Sequence, residues 1–179
     1  MRHVFPCGTL TLDFVGTLQE RRAPVPIERI GSPGLLDSWF VESGLLDERP
    51  GSDQADLRAA RELREAIHSL VRARLTGRPL PVGAVVAVNR QAAGVPVAMR
   101  LGSAGTSRSG KAAQALTELA REAVEIIAGA EAALLRECGH PDCTHVYLDR
   151  SRGRRREWCA MRTCGNRVKA AALRARRRR

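Results

Sequence analysis

A chain of 179 residues has room for one ordinary domain, or for a medium domain with a small appendage. Apolar residues make up 44% and charged residues 27%, the balance of a folded protein rather than a disordered one. No apolar run approaches the roughly 20 residues of a spanning helix, which excludes membrane insertion.

The formal net charge of +11 is unevenly placed, since residues 136–179 hold fourteen bases against four acids and residues 1–135 hold sixteen against fifteen. A near-neutral body and a strongly basic end have different physical tasks, and a concentrated basic segment attracts polyanions, nucleic acid first among them. The start, Met1 to Cys7, has neither a sustained apolar stretch nor a small-residue cleavage site, so a cytoplasmic protein is expected. In that reducing compartment five cysteines point to metal or redox chemistry rather than to disulfides.

With only six aromatic residues, the core must be built mainly from Leu, Val, Ile and Ala, which favours helices. Leu10 to Leu18 is apolar around Asp13 and reads equally as strand or short helix. Pro24, Pro26 and Pro33 punctuate a loop, after which Ser32 or Pro33 starts a short helix through Val41, stopped by Gly44. Pro50 to Asp53 reads as a turn and N-cap for a helix with Leu57, Ala60, Leu63, Ile67 and Leu70 at helical spacing, ending near Gly77-Arg78-Pro79. A further helix covers Val82–Ala92, Val95 to Leu101 alternates as an edge strand, and Gly102 to Gly110 is a small-residue loop. From Lys111 one long helix carries its apolar stripe to Leu134 and feeds directly into Cys138. Asp13, His68 and Cys7 read as satisfied buried or boundary groups rather than as catalysts.

Four cysteines stand as Cys138-x4-Cys143-x15-Cys159-x4-Cys164, two close pairs separated by enough chain for a hairpin. This is the layout of a structural Zn2+ site, in which each pair supplies two corners of a tetrahedron. Gly139 and Pro141 let the first pair fold back on an ion. Residues five apart on an uninterrupted helix point about 140° away from each other, so Cys159 should end a hairpin strand and Cys164 should open the last helix. Four thiolates leave no open position for water, so the ion would hold the fold and not catalyse. His140 and His145 could each replace a cysteine, with roles outside the ligand set as the plainer reading.

The segments Leu148-Asp149-Arg150-Ser151-Arg152, Arg156-Glu157-Trp158-Cys159-Ala160-Met161 and Cys164-Gly165-Asn166-Arg167, with the cysteine spacing, resemble the CGNR zinc finger of bacterial stress-induced transcription regulators. The body resembles that family's N-terminal ABATE domain through Leu12 to Leu18, Leu36-Asp37-Ser38-Trp39 with Gly44-Leu45, and Leu63 to Ala66. Gly16 departs from it, because asparagine is expected after the Asp-aromatic-Val run. The resemblance implies a zinc-binding, DNA-binding tail on a helical regulatory body.

Arg150 to Arg156 reads as the tip of a zinc hairpin turned by Gly153, whose Arg152, Arg154, Arg155 and Arg156 would clamp phosphates. Asn166 to Arg179 reads as a helix carrying Arg167, Lys169, Arg174 and the run Arg176 to Arg179, able to enter a major groove, with Arg162 and Arg167 nearest the bases. Tyr147 and Trp158 could stack on bases but fit better as the finger's own small core. Three other readings compete. The basic surface could meet RNA or a ribosome, the thiolates could serve as a redox sensor, and Gly105 to Ala112 nearly spells a nucleotide-binding P-loop. Against the last, Ala112 replaces the Ser or Thr that holds magnesium, and no enzyme is expected.

The expected fold is α+β and mainly α: a helical body over residues 1–135 with a short edge strand or hairpin, and a zinc module of β-hairpin and helix over 136–179. DNA is the expected partner, ahead of RNA, with a homodimer and a small-molecule effector as further roles for the body.

Overall fold

The computed structural model describes residues 3–103 and 105–177, excepting the side chains at 171, 172 and 175–177. The fold is α+β and mainly α, and among the described residues no helix is long and apolar enough to cross a membrane. The apolar run near the start resolves as α1 (Leu10–Val15), capped by Thr9, with Thr11 to Val15 all buried. Two short strands, β1 (Leu18–Gln19) and β2 (Ile27–Glu28), pair antiparallel before α2 (Pro33–Glu42). Ser32 caps α2 and Pro33 sits in its first turn, where a missing N–H costs nothing. Asp53 accepts the Ala55 and Asp56 N–H groups at the head of α3 (Gln54–Leu75), and Asp56 returns the bond in a capping box. The helices α4 (Val82–Ala92) and α5 (Ala112–Ala128) pack against α3 and against each other.

The core is a single apolar cluster in which Leu63, Ile67 and Leu70 of α3 meet Leu116, Leu119 and Ala123 of α5. Trp39 closes one end, its ring centroid 5.3 Å from that of Phe14 and 5.9 Å from that of Phe5. The buried Arg64 ties α3 to β2, its Nη1 and Nη2 donating to Glu28 at 2.7 and 2.8 Å.

Two expectations fail here. The stretch read as a loop contains half of a hairpin, β3 (Ala98–Gly102) against β4 (Gly105–Ser109), in register Met99 to Arg108. All ten residues are exposed, so no apolar alternation marked the second strand. Instead Asp47 holds its outer edge, where Oδ2 accepts the Arg108 N–H at 2.7 Å and the Asp47 N–H donates to Arg108 O at 3.0 Å. Residues 105–109 are therefore an antiparallel strand and not the phosphate-cradling loop between parallel strand and helix that a P-loop needs. The long helix also stops early. Gly129 takes an extended ψ of −178°, and a 3-10 turn over Ala130–Leu134 separates α5 from the cysteine region.

Asp13 and His68 are buried or boundary groups, as expected. Burial pushes the Asp13 carboxyl up to about 7, only partly opposed by the Cys7 N–H that it accepts at 2.8 Å. Burial likewise pushes His68 down to about 4, so its imidazole is neutral at pH 7. Because folded Asp13 holds its proton more tightly than the unfolded chain does, its contribution to stability is fully present below about pH 4 and is lost as pH rises through about 7. Asp13→Asn keeps an oxygen for the Cys7 N–H and has no proton to lose. It is expected to flatten the pH dependence of denaturant unfolding between pH 4 and 7 and to gain about 1 to 2 kcal/mol at pH 7.5.

Candidate metal centre

The two cysteine pairs are brought together by different local structures. Strands β5 (Leu135–Glu137) and β6 (Val146–Leu148) pair antiparallel, and the first pair lies in the turn between them. The Cys138 N–H donates to His145 O and the Cys143 N–H to His140 O, both at 2.9 Å, which folds that turn on itself. The hairpin thus flanks Cys138 and Cys143 and is not capped by Arg150 to Arg156, and Cys159 ends no strand but sits in irregular chain. This corrects the expected layout: the first knuckle needs the ladder, whereas the second takes its shape from a helical turn. Cys164 lies in that turn, a π-turn over Met161–Gly165 that runs directly into α6 (Asn166–Arg177). Its wider winding breaks the helical spacing that would have pointed the second pair apart, and Cys164 opens the last helix as expected.

Trp158 joins the halves by packing over two glycines. A Cβ at Gly139 would stand 3.3 Å from Trp158 Cζ3, and one at Gly165 would stand 3.1 Å from Trp158 Cδ1 and 2.4 Å from Met161 Sδ. A side chain after Cys164 would therefore have to push back Trp158 as well as the exposed end of Met161.

The four Sγ atoms of Cys138, Cys143, Cys159 and Cys164 all lie within 4.8 Å of one another, and all four residues are buried. Cys143 to Cys159 is 3.8 Å and Cys159 to Cys164 is 3.6 Å. A tetrahedron of thiolates at about 2.3 Å from Zn2+ has edges of about 3.8 Å, so the donor set fits that ion in chemistry and spacing. All five cysteines are free thiols. Hydrogen bonds from Cys143 and Cys159 hold Cys138 far below the ordinary thiol range, and the same contacts push Cys143 up to about 12 and Cys159 upward. Neither His140 nor His145 joins the four. His140 Nδ1 accepts the Asp142 N–H at 3.3 Å within the turn. Cys7 is fully buried in the core, and burial pushes its thiol well up.

The arginines predicted for nucleic acid divide into two groups. Arg152, Arg154, Arg155, Arg162, Arg167, Lys169 and Arg174 lie on the surface, Arg167 and Lys169 among them on α6. Arg156 turns inward instead. Its guanidinium lies 4.3 Å over the Tyr147 ring, Nε donates to Trp158 O and Nη2 to Pro6 O at 2.8 Å, and Nη2 also donates to Cys159 O. Arg178 and Arg179 lie outside the described residues, as do the side chains of Arg176 and Arg177. Tyr147 is buried and gives its hydroxyl proton to Arg156 O, while Trp158 is half-buried, so both turn inward; they join the one apolar cluster of the body rather than a small core of the finger's own.

Sequence reasoning missed Asp149. This buried carboxylate accepts the Ser151 N–H and hydroxyl at 3.0 and 2.6 Å and the Arg156 N–H at 3.1 Å, and these bonds hold it below the usual carboxylate range. It organises the loop that carries Arg152, Arg154 and Arg155. An Asp two residues before a Ser is an Asx-turn signal, and it was there to be read.

Residues 8–130 match the ABATE family, described as "Putative stress-induced transcription regulator", and residues 135–177 match the CGNR zinc finger. No curated protein matches the chain. Neither description is that of an enzyme. With the quartet of sulfurs lying inside the second match and helices α1 to α5 inside the first, the chain belongs to the ABATE family and carries a CGNR zinc finger.

Proposed function

We propose that the protein is a zinc-dependent, DNA-binding transcription regulator of the cytoplasm. Cys138, Cys143, Cys159 and Cys164 hold one zinc ion in a closed site that shapes residues 136–179, and residues 1–135 serve sensing or dimerisation. The observation that carries this reading is the gathering of four buried thiols within 4.8 Å, in the same short region as an exposed arginine-rich surface. Arg167 and Arg174 stand seven residues apart on α6 and so share one stripe of it. A helix with arginines along one stripe suits a major groove, whereas double-stranded RNA hides its major groove from side chains. Arg152, Arg154 and Arg155 stand on the loop that Asp149 organises and contact phosphates without reading bases.

Metal analysis of the purified protein should give one zinc per chain, and anisotropy titrations at fixed salt should favour duplex DNA over structured RNA. Equal or stronger binding to RNA would replace DNA as the partner. The triple variant Arg152→Ala, Arg154→Ala, Arg155→Ala is expected to lower affinity and flatten the salt dependence, each lost phosphate contact removing about 0.9 from the log–log slope. An unchanged slope would exclude the loop from the interface.

A further inference from the structure

His145 touches both the thiol cluster and the body. It lies two residues beyond Cys143, its Nδ1 stands 3.1 Å from Cys143 Sγ, and its peptide N–H also supports that sulfur. From the other side the ring lies against the backbone of Gly16 at the end of α1; with Nδ1 carrying the proton of the neutral imidazole, its one N–H faces the Cys143 sulfur. This contact leaves no room for a side chain at position 16. A Cβ there would come within 2.5 Å of His145 Cδ2 and 2.9 Å of Nε2, where non-bonded carbons rest at about 3.5 to 4.0 Å.

The element on the far side of the contact is well anchored. Thr11 Oγ1 donates to Leu119 O at 2.8 Å, and the Thr11 N–H donates to Glu122, fastening α1 to α5. A displacement of α1 therefore has a path to one sulfur through a single side chain. We propose that His145 is a positioning residue for the metal centre, through which the C-terminal end of α1 sets how tightly Cys143 is held. The proposal rests on the zinc reading given above. Groups that hydrogen-bond to a metal ligand orient it, and losing one costs metal affinity about 10- to 100-fold.

The test measures zinc transfer from the loaded full-length protein to a chromogenic chelator, for wild type, His145→Ala, Gly16→Ala and the double variant. His145→Ala is expected to release zinc about 10-fold faster, and Gly16→Ala, which leaves every sulfur in place, to accelerate release by a similar factor. The double variant should release no faster than His145→Ala, because an alanine at 16 then meets no ring. Release within about twofold of wild type in both single variants, with one zinc still bound, overturns the proposal and leaves the zinc reading standing. Wild-type protein without bound zinc overturns both. Should Gly16→Ala fail to fold, site-resolved alkylation of His145→Ala decides. A rise at Cys143 above that at Cys164 supports the proposal, and a uniform rise across the four cysteines overturns it.

Discussion

Removing the metal with a chelator is expected to melt α6 and the chain from Trp158 to Gly165 while α1 to α5 stay folded. The reason lies in what each part buries. Leu135, Val146, Tyr147 and Leu148 of the β5–β6 hairpin are all buried in the body's core, so that hairpin has support without an ion. Beyond it, Met161 is 48% exposed and Leu173 is 52% exposed, so that among the described residues Trp158 and the sulfurs are the main buried contacts. A segment with so little apolar burial cannot offset its own chain entropy. The metal would supply on the order of 10 kcal/mol of folding free energy there. Cys164→Ser should reproduce the chelated state, since three thiolates and a hydroxyl bind zinc far more weakly. Hydrogen exchange checks this directly. Amides of α6 should lose protection on chelation and those of α3 and α5 should keep it, and an α6 protected without metal would refute the expectation.

Arg156→Ala is expected to cost about 3 to 4 kcal/mol of stability and to leave the salt dependence of DNA binding unchanged. Its guanidinium serves the carbonyls of Pro6, Trp158 and Cys159 and lies over the Tyr147 ring, so truncation strands three acceptors and empties the ring face. Arg156→Lys should recover little, because an ammonium carries its N–H groups on one atom and cannot reach carbonyls served from both Nε and Nη2, nor stack as a plane. Arg155→Ala is the control, being exposed, and should leave stability within about 0.5 kcal/mol of wild type. Urea unfolding of the three variants, beside anisotropy titrations at several salt concentrations, separates these outcomes. A stable Arg156→Ala chain with a reduced slope would mean that this arginine grips phosphate after all.

Helices α2 to α6 were legible because each carries its own local signals, whereas the run that forms α1 read equally as a strand. Ser32 and Asp53 supply caps, Gly44 and Gly77 mark stops, and the stripes of α3 and α5 repeat at helical spacing. The metal centre was legible from the paired cysteine spacing. What the chain concealed depends on contacts between residues far apart. Strand β4 has no apolar alternation because neither of its faces is buried, and its edge is held by Asp47, sixty-one positions away from Arg108. Arg156 lies among arginines of identical type, and among the partners that distinguish it is the carbonyl of Pro6, 150 residues earlier. His145 has the same character, since its partner Gly16 bears no side chain that could announce the pairing. Gly129 was the exception, a readable stop passed over because the apolar stripe continued on both sides of it.

The β5–β6 hairpin that frames Cys138 and Cys143 contributes its side chains to the same interior as α1 and α5. The cysteine-bearing end is therefore no bead on a flexible string. Cut away and grafted onto another protein, it would carry a raw greasy flank where Leu135, Val146 and Leu148 had been covered. Left in place, it ties Cys138 and Cys143 to the body, so that a duplex gripped by α6 as proposed would meet the body at a set angle. Two such molecules side by side on one duplex would have their spacing dictated by a rigid shape rather than by the reach of a tether.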